Sequence, residues 1–164
     1  MINLKTTREL RYMRDAGKIS QEALLKAGEA VRPGVSTLEL DKIVRRTIEK
    51  AGAVPSFLGY GGFPASACIS VNNVVIHGIP SAHEILKEGD IVSIDVGAIY
   101  EGFNGDNAWT FPCGKVSEEA QKLMDATRES LFLAIEKAVP GNRIGDIGSA
   151  VQPVSYTHLR AHET

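Results

Sequence analysis

IVSIDVGAIYEGFNGDNAWTF, residues 91–111, reads as a β-hairpin whose two aspartates share one face. Side chains alternate between the faces of a strand, so the order of residue types assigns each face. Val92, Ile94, Val96 and Ala98 point one way, where Phe103, Trp109 and Phe111 of the returning strand join them. Asp95 and Asp106 point the other way, with Ser93, Asn104 and Ala108. A turn centred between Tyr100 and Glu101 sets Asp95 opposite Asp106, Gly97 opposite Asn104 and Ala98 opposite Phe103. Directly opposed residues have Cβ atoms about 5 Å apart. Two carboxylates at that distance repel by roughly 3 kcal/mol at an effective dielectric of about 20. A divalent cation or a shared proton offsets such a repulsion. The plainer alternative is a solvated sheet surface with both carboxylates in water. The long apolar opposite face and the room left by Gly97 and Gly105 favour a site. The residues alone reach "paired carboxylates able to bind a metal" and stop there.

The chain has 164 residues, 43% of them hydrophobic and 23% charged, which suits one ordinary domain with a real core. Eighteen basic and 20 acidic residues give a net charge of −2 with no basic run, so nucleic-acid binding is not expected. Cys68 and Cys113 are too few for a disulfide scaffold and suit a reducing compartment. The opening MINLKTTREL lacks the basic-then-apolar layout of a secretory signal, and no stretch approaches membrane-spanning length. Cytoplasmic residence without a membrane partner is the expectation.

Thr6 with Glu9 has the spacing of a capping box, and Leu10, Met13, Ala16, Ile19, Ala23, Leu24 and Ala27 keep helical period to about Val31. Pro33-Gly34 breaks that helix. Ser36 with Glu39 starts a second one through Leu40, Ile43, Val44 and Ile48, closed by Gly52. From Ala65 to His77 the chain turns β-rich, and ASACISV, Asn72-Asn73 and VVIH predict a hairpin in which Cys68 faces His77 and Val71 faces Val74. A third helix is expected from Ser117 or Glu118 to about Ala138, stopped by Pro140-Gly141, and a fourth from near Ile144.

QEALLKAGEAV (21–31) followed by RPGVSTLELDKIV is echoed by ESLFLAIEKAV (129–139) followed by PGNRIGDIGSAV. Each is a helix ending in Ala-Val, then Pro-Gly, then a second helix with a closing Val. Two unrelated helix-loop-helix segments could look alike, but a duplicated fold accounts for the shared order. After Gln152 the chain reads PVSYTHLRAHET, with neither a helix cap nor strand alternation. His158 and His162 have helical metal-ligand spacing, yet the segment is not amphipathic and reads as a non-native or disordered tail over 153–164.

SVNNVVIHGIP, IDVGAIYEGFNGDNAWTF and LGYGGFPASACIS closely resemble segments of the methionine aminopeptidases of the short bacterial type. LKTTRELRYMRDAGKI, VRPGVSTLELDKIV and PGNRIGDIGSAVQ are similar to the same family, so the resemblance covers residues 2–152. It implies an α+β pita-bread fold of two related halves, here the N-terminal half plus the first helices of the second. It implies a partial catalytic domain over 1–152 and a cytoplasmic, monomeric metallo-exopeptidase. The reaction implied is removal of an N-terminal methionine when the second residue is small. The implied partner is the N-terminal methionine of nascent peptides, with transient contact to the ribosome. Two divalent metal ions, Mn, Fe, Co or Zn, are the implied cofactors. By motif, Asp95 and Asp106 match the two Asp ligands, and His77 matches a catalytic, substrate-contacting histidine. Tyr60, Phe63 and Cys68 are similar to residues lining the methionine pocket, although Tyr and Phe beside Gly-Gly also suit plain turn packing.

The chain departs from that pattern after Gln152. The family's Gly-His-Gly-Ile-Gly motif and its two later Glu-bearing segments are missing, so the ligand set is incomplete and the chain reads as truncated. Asn104-Gly105-Asp106 stands where His-Gly-Asp is commoner. The fragment is expected to be inactive. Three other readings compete: a non-catalytic pita-bread binding protein, a proline-specific peptidase of the same fold, and a thiol hydrolase using Cys68 and His77.

Overall fold

The computed structural model describes residues 4–159, with side chains described through Val154. The element order is α1 (Thr7–Glu29), α2 (Thr37–Lys50), β1 (Val54–Pro55), β2 (Ala67–Val71), β3 (Ile91–Tyr100), β4 (Phe103–Pro112), α3 (Glu118–Lys137) and α4 (Ile144–Leu159). These fall into two compact units, Met1–Lys115 and Val116–Thr164. Both expected capping boxes form: Thr6 and Ser36 accept from the Glu9 and Glu39 amides, and each Glu side chain reaches back to its cap. Ser117 caps α3 by accepting from the Ala120 amide.

In the first unit β3 is the central strand. Its partner β4 runs antiparallel along one edge, while β2 pairs with Val92–Val96 and β1 with Ala98–Ile99 on the other. Ala67, Ile69, Val92, Ile94 and Val96 bury one sheet face against Ala23, Ala27, Leu40, Val44 and Ile48 of the two helices. The helix comes close to β4 because Gly105 has no side chain; a Cβ there would collide with the backbone of Ala16 and Gly17. Asn107 adds polar bonds, donating to the Gly17 carbonyl at 3.1 Å and to Ser20 Oγ at 2.6 Å.

Two registers differ from the sequence expectation. The β3–β4 turn is Glu101-Gly102, closed by Tyr100 opposite Phe103, rather than centred one residue earlier. Glu101 has φ 50° and Gly102 has φ 80°. A two-residue hairpin turn of this kind needs left-handed backbone at both central positions, and glycine takes the second without steric cost. The earlier centring would have forced Tyr100 into that conformation. The second difference concerns 65–77. Asn72-Asn73 does turn the chain, and the Val74 N–H bonds the Val71 carbonyl at 3.1 Å. Residues 74–77, however, form no strand, and β2 pairs instead with β3. His77, with φ 58°, breaks the extended geometry a returning strand requires.

The second unit is the helix pair α3–α4, which buries Ala126, Ser130 and Val154. The echo seen in sequence recurs in conformation: Gly34 after α1 has φ 90° and Gly141 after α3 has φ 95°. The backbone of α4 runs through Pro153 to Leu159. The side chain of His158 and the whole of His162 lie outside the described residues.

Candidate metal centre and substrate site

Asp95 and Asp106 lie on the sheet face opposite the helices, as their alternation required. The turn register makes them diagonal neighbours rather than directly opposed, since Asp95 pairs with Ala108 and Asp106 with Gly97. Diagonal Cβ atoms are about 7 Å apart, yet the two carboxyl groups reach each other and share a side-chain hydrogen bond. The slip of the turn moved both partners by two positions along the ribbon, which preserves the face.

Burial first, and then the charge of Asp106, push the Asp95 carboxyl up to about 6, while His77 acts in the opposite direction. Oδ1 of Asp95 is buried with no hydrogen-bond partner. A buried acceptor without a donor, next to a second carboxylate, is an arrangement that a cation would complete. The donor set therefore fits a divalent ion on these two residues. Among the described residues no group of three or more His, Cys, Asp or Glu is arranged to hold a metal.

Cys68 sits across β3 from Asp95, on the edge away from β4, so Cys68, Asp95 and Ala108 form one row. This corrects the expected pairing of Cys68 with His77. Burial, followed by the charges of Asp95 and Asp106, pushes the Cys68 thiol up to about 11. A nucleophilic cysteine needs the opposite shift, so the thiol-hydrolase reading is set aside.

His77 is exposed and lies just beyond the outer edge of β2. Its neighbour Gly78 pins the segment there, donating to Ser70 Oγ at 3.0 Å and accepting from the Ile69 N–H at 2.9 Å. Only glycine fits, because a Cβ at Gly78 would overlap the Ile69 carbonyl. Tyr60 and Phe63 belong to the loop between β1 and β2, closed on itself by the Gly59 N–H to Phe63 carbonyl bond at 2.8 Å. Phe63 is half-buried, whereas Tyr60 is 82% exposed.

Phe57 escaped the sequence reading. A Cβ on Gly97, which shares the face of the two aspartates, would collide with Ser56 Oγ and the Phe57 ring. Phe57 therefore covers the strand beside Asp106. The available signal was Gly97 itself, because glycine inside a strand often marks a close approach by another part of the chain.

Similarity to known proteins agrees with this geometry. The chain is 54% identical over 152 residues to a methionine aminopeptidase of Clostridium acetobutylicum, across 93% of this chain and 61% of that protein. The crystal structure of methionine aminopeptidase from Rickettsia prowazekii has a TM-score of 0.92 at 39% identity, covering 96% of this chain and 63% of that one. Aminopeptidase P from E. coli with the inhibitor Pro-Leu has a TM-score of 0.81 at 26% identity, covering 94% and 34%. The chain thus spans about three fifths of the length of the methionine aminopeptidases it matches. These likenesses bear out the α+β pita-bread expectation. The family profile covers residues 11–162, and the chain belongs to metallopeptidase family M24.

Proposed function

We propose that these residues serve the metal-dependent removal of an N-terminal methionine followed by a small residue. Membership of a metallopeptidase family implies divalent metal ions. The observation that carries the reading is the pairing of Asp95, with its unpartnered buried Oδ1, and Asp106 on one sheet face. Asp95 and Asp106 would hold the metal, which when bound polarises a peptide carbonyl and acidifies a water. Mn, Fe, Co and Zn all accept carboxylate ligands. His77, at the edge of β2, would donate a hydrogen bond toward substrate. Cys68, Phe57, Phe63 and Tyr60 supply an apolar border suited to an unbranched thioether side chain. In the complete enzyme, a monomer, the substrates are nascent peptides met in the cytoplasm through brief contact with the ribosome. None of the helices among the described residues is long and apolar enough to cross a membrane.

Two carboxylates from one hairpin make a weak cation site, because no described residue closes its far side. The described residues are therefore expected to support negligible turnover on their own. Purified chain is expected to show negligible cleavage of Met-Ala-Ser with Mn or Co added. Calorimetry is expected to show weak Mn binding that drops about tenfold or more in Asp95→Asn or Asp106→Asn. Turnover matching that of a full-length methionine aminopeptidase would refute the inactivity, and Mn binding indifferent to both substitutions would refute the site.

A further inference from the structure

Helix α2 touches both segments that carry the substrate-facing candidates. Thr37, fully buried in its first turn, accepts from the Ser81 N–H at 2.9 Å. Its hydroxyl has the Ser81 carbonyl and the Glu84 carboxylate as acceptors, each 3.2 Å away. The Thr37 N–H donates to the Glu84 carbonyl at 3.0 Å and the Leu38 N–H to the Ser81 carbonyl at 3.2 Å. These bonds hold the chain that leaves His77 through Gly78 and Pro80.

One turn further on, Asp41 is 7% exposed. A single oxygen, Oδ1, accepts from the Ser66 N–H at 2.7 Å and the Ala67 N–H at 2.9 Å. Those amides close the loop bearing Tyr60 and Phe63 and open β2 one residue before Cys68. Positions four apart share a helix face, so Thr37 and Asp41 act from one side of α2. Burying a carboxylate is unfavourable, and what holds it here is that two buried N–H groups need an acceptor.

We propose that Thr37 and Asp41 are positioning residues, a two-point clamp by which α2 sets the His77 segment and the Tyr60–Cys68 segment relative to β3. Its bearing on methionine recognition rests on the proposed function; the clamp itself does not. The test uses the whole chain without metal or peptide, so a failed clamp and a failed metal site are told apart. The readout is iodoacetamide alkylation of Cys68, mapped by mass spectrometry with buried Cys113 as the internal reference. Asp41→Ala is expected to raise the Cys68 to Cys113 rate ratio about tenfold, because a segment that loses its buried bonds opens more often. Asp41→Asn keeps an oxygen at Oδ1 and is expected to stay within about twofold of the parent chain. Ile48→Ala, which empties the core under the same helix, lowers stability without raising that ratio. Thr37→Val is expected to move the His77 ring resonances, and Thr37→Ser to leave them in place.

An unchanged ratio in Asp41→Ala, a rise of equal size in Asp41→Asn or Ile48→Ala, or an unmoved His77 signal in Thr37→Val overturns the clamp. Should Asp41→Ala not fold, amide exchange in the parent chain decides. Ser66 and Ala67 must then be protected well beyond Gly61 and Gly62, and equal exchange overturns the proposal.

Discussion

Asp95 carries the most informative electrostatics in the molecule. Its folded pKa, about 6, lies above the ordinary value of 3.8, so the folded chain binds this proton more tightly than the unfolded chain does. The group's contribution to stability is therefore full below the unfolded value and is lost as pH rises through about 6. Urea melts of the chain in chelator are expected to show a lower midpoint at about pH 7 than at about pH 5. Asp95→Asn should remove most of that fall. Asp41 is also raised, by burial, so its contribution has the same sign as that of Asp95. Glu9 and Glu39 have the opposite sign, since their capping bonds lower them below 4.5 and their contribution disappears as pH falls. A midpoint that rises between about pH 5 and pH 7 would show that Asp95 is not raised in the folded chain.

The hairpin is the element that carries both aspartates. Its turn and its contact with α1 depend on different glycines, and the two should fail differently. Gly102 has φ 80° with open space around it, so Gly102→Ala costs about 1 kcal/mol of backbone strain. Gly105 faces the backbone of α1, which cannot rotate away as a side chain could. Gly105→Ala is expected to cost about 3 kcal/mol, at the upper end for overpacking, with α1 displaced from β4. Paired urea denaturation curves measure both, and equal losses would show that the helix does not rest on Gly105. Sequence alternation had already placed both aspartates on one face and both capping boxes at their helix starts. The one-step error in the turn and the imagined 65–77 hairpin came from reading local pairs in isolation. Neither the left-handed backbone at His77 nor the competing edge of β3 is visible in a local window.

At the scale of the whole chain, each unit is best described by its own packing. Ile94 is fully buried at the centre of the first unit's core, and Ile94→Ala is expected to cost about 2–5 kcal/mol by urea denaturation. In the second unit Leu131, Phe132, Ile135 and Val139 are exposed, more apolar surface than a short helix pair ordinarily leaves in water. Sedimentation velocity over rising concentration is expected to show self-association, and Phe132→Glu with Ile135→Glu is expected to reduce it. A strictly monomeric parent chain at every concentration would refute this.

Periodicity, capping pairs and turn residues are local properties, and through them the sequence by itself determined the starts of the four helices, the β3–β4 ribbon and the shared face of Asp95 and Asp106, but not the run of α4 through Pro153 to Leu159. What only the tertiary structure decided is which distant neighbours meet: Cys68 in the row of Asp95, Phe57 over Gly97, and α2 holding the two loops through Thr37 and Asp41. Those meetings depend on which strand wins the free edge of β3 and on how closely glycine lets backbones approach. That competition is settled by burial summed over the whole core, which no local run of residues encodes.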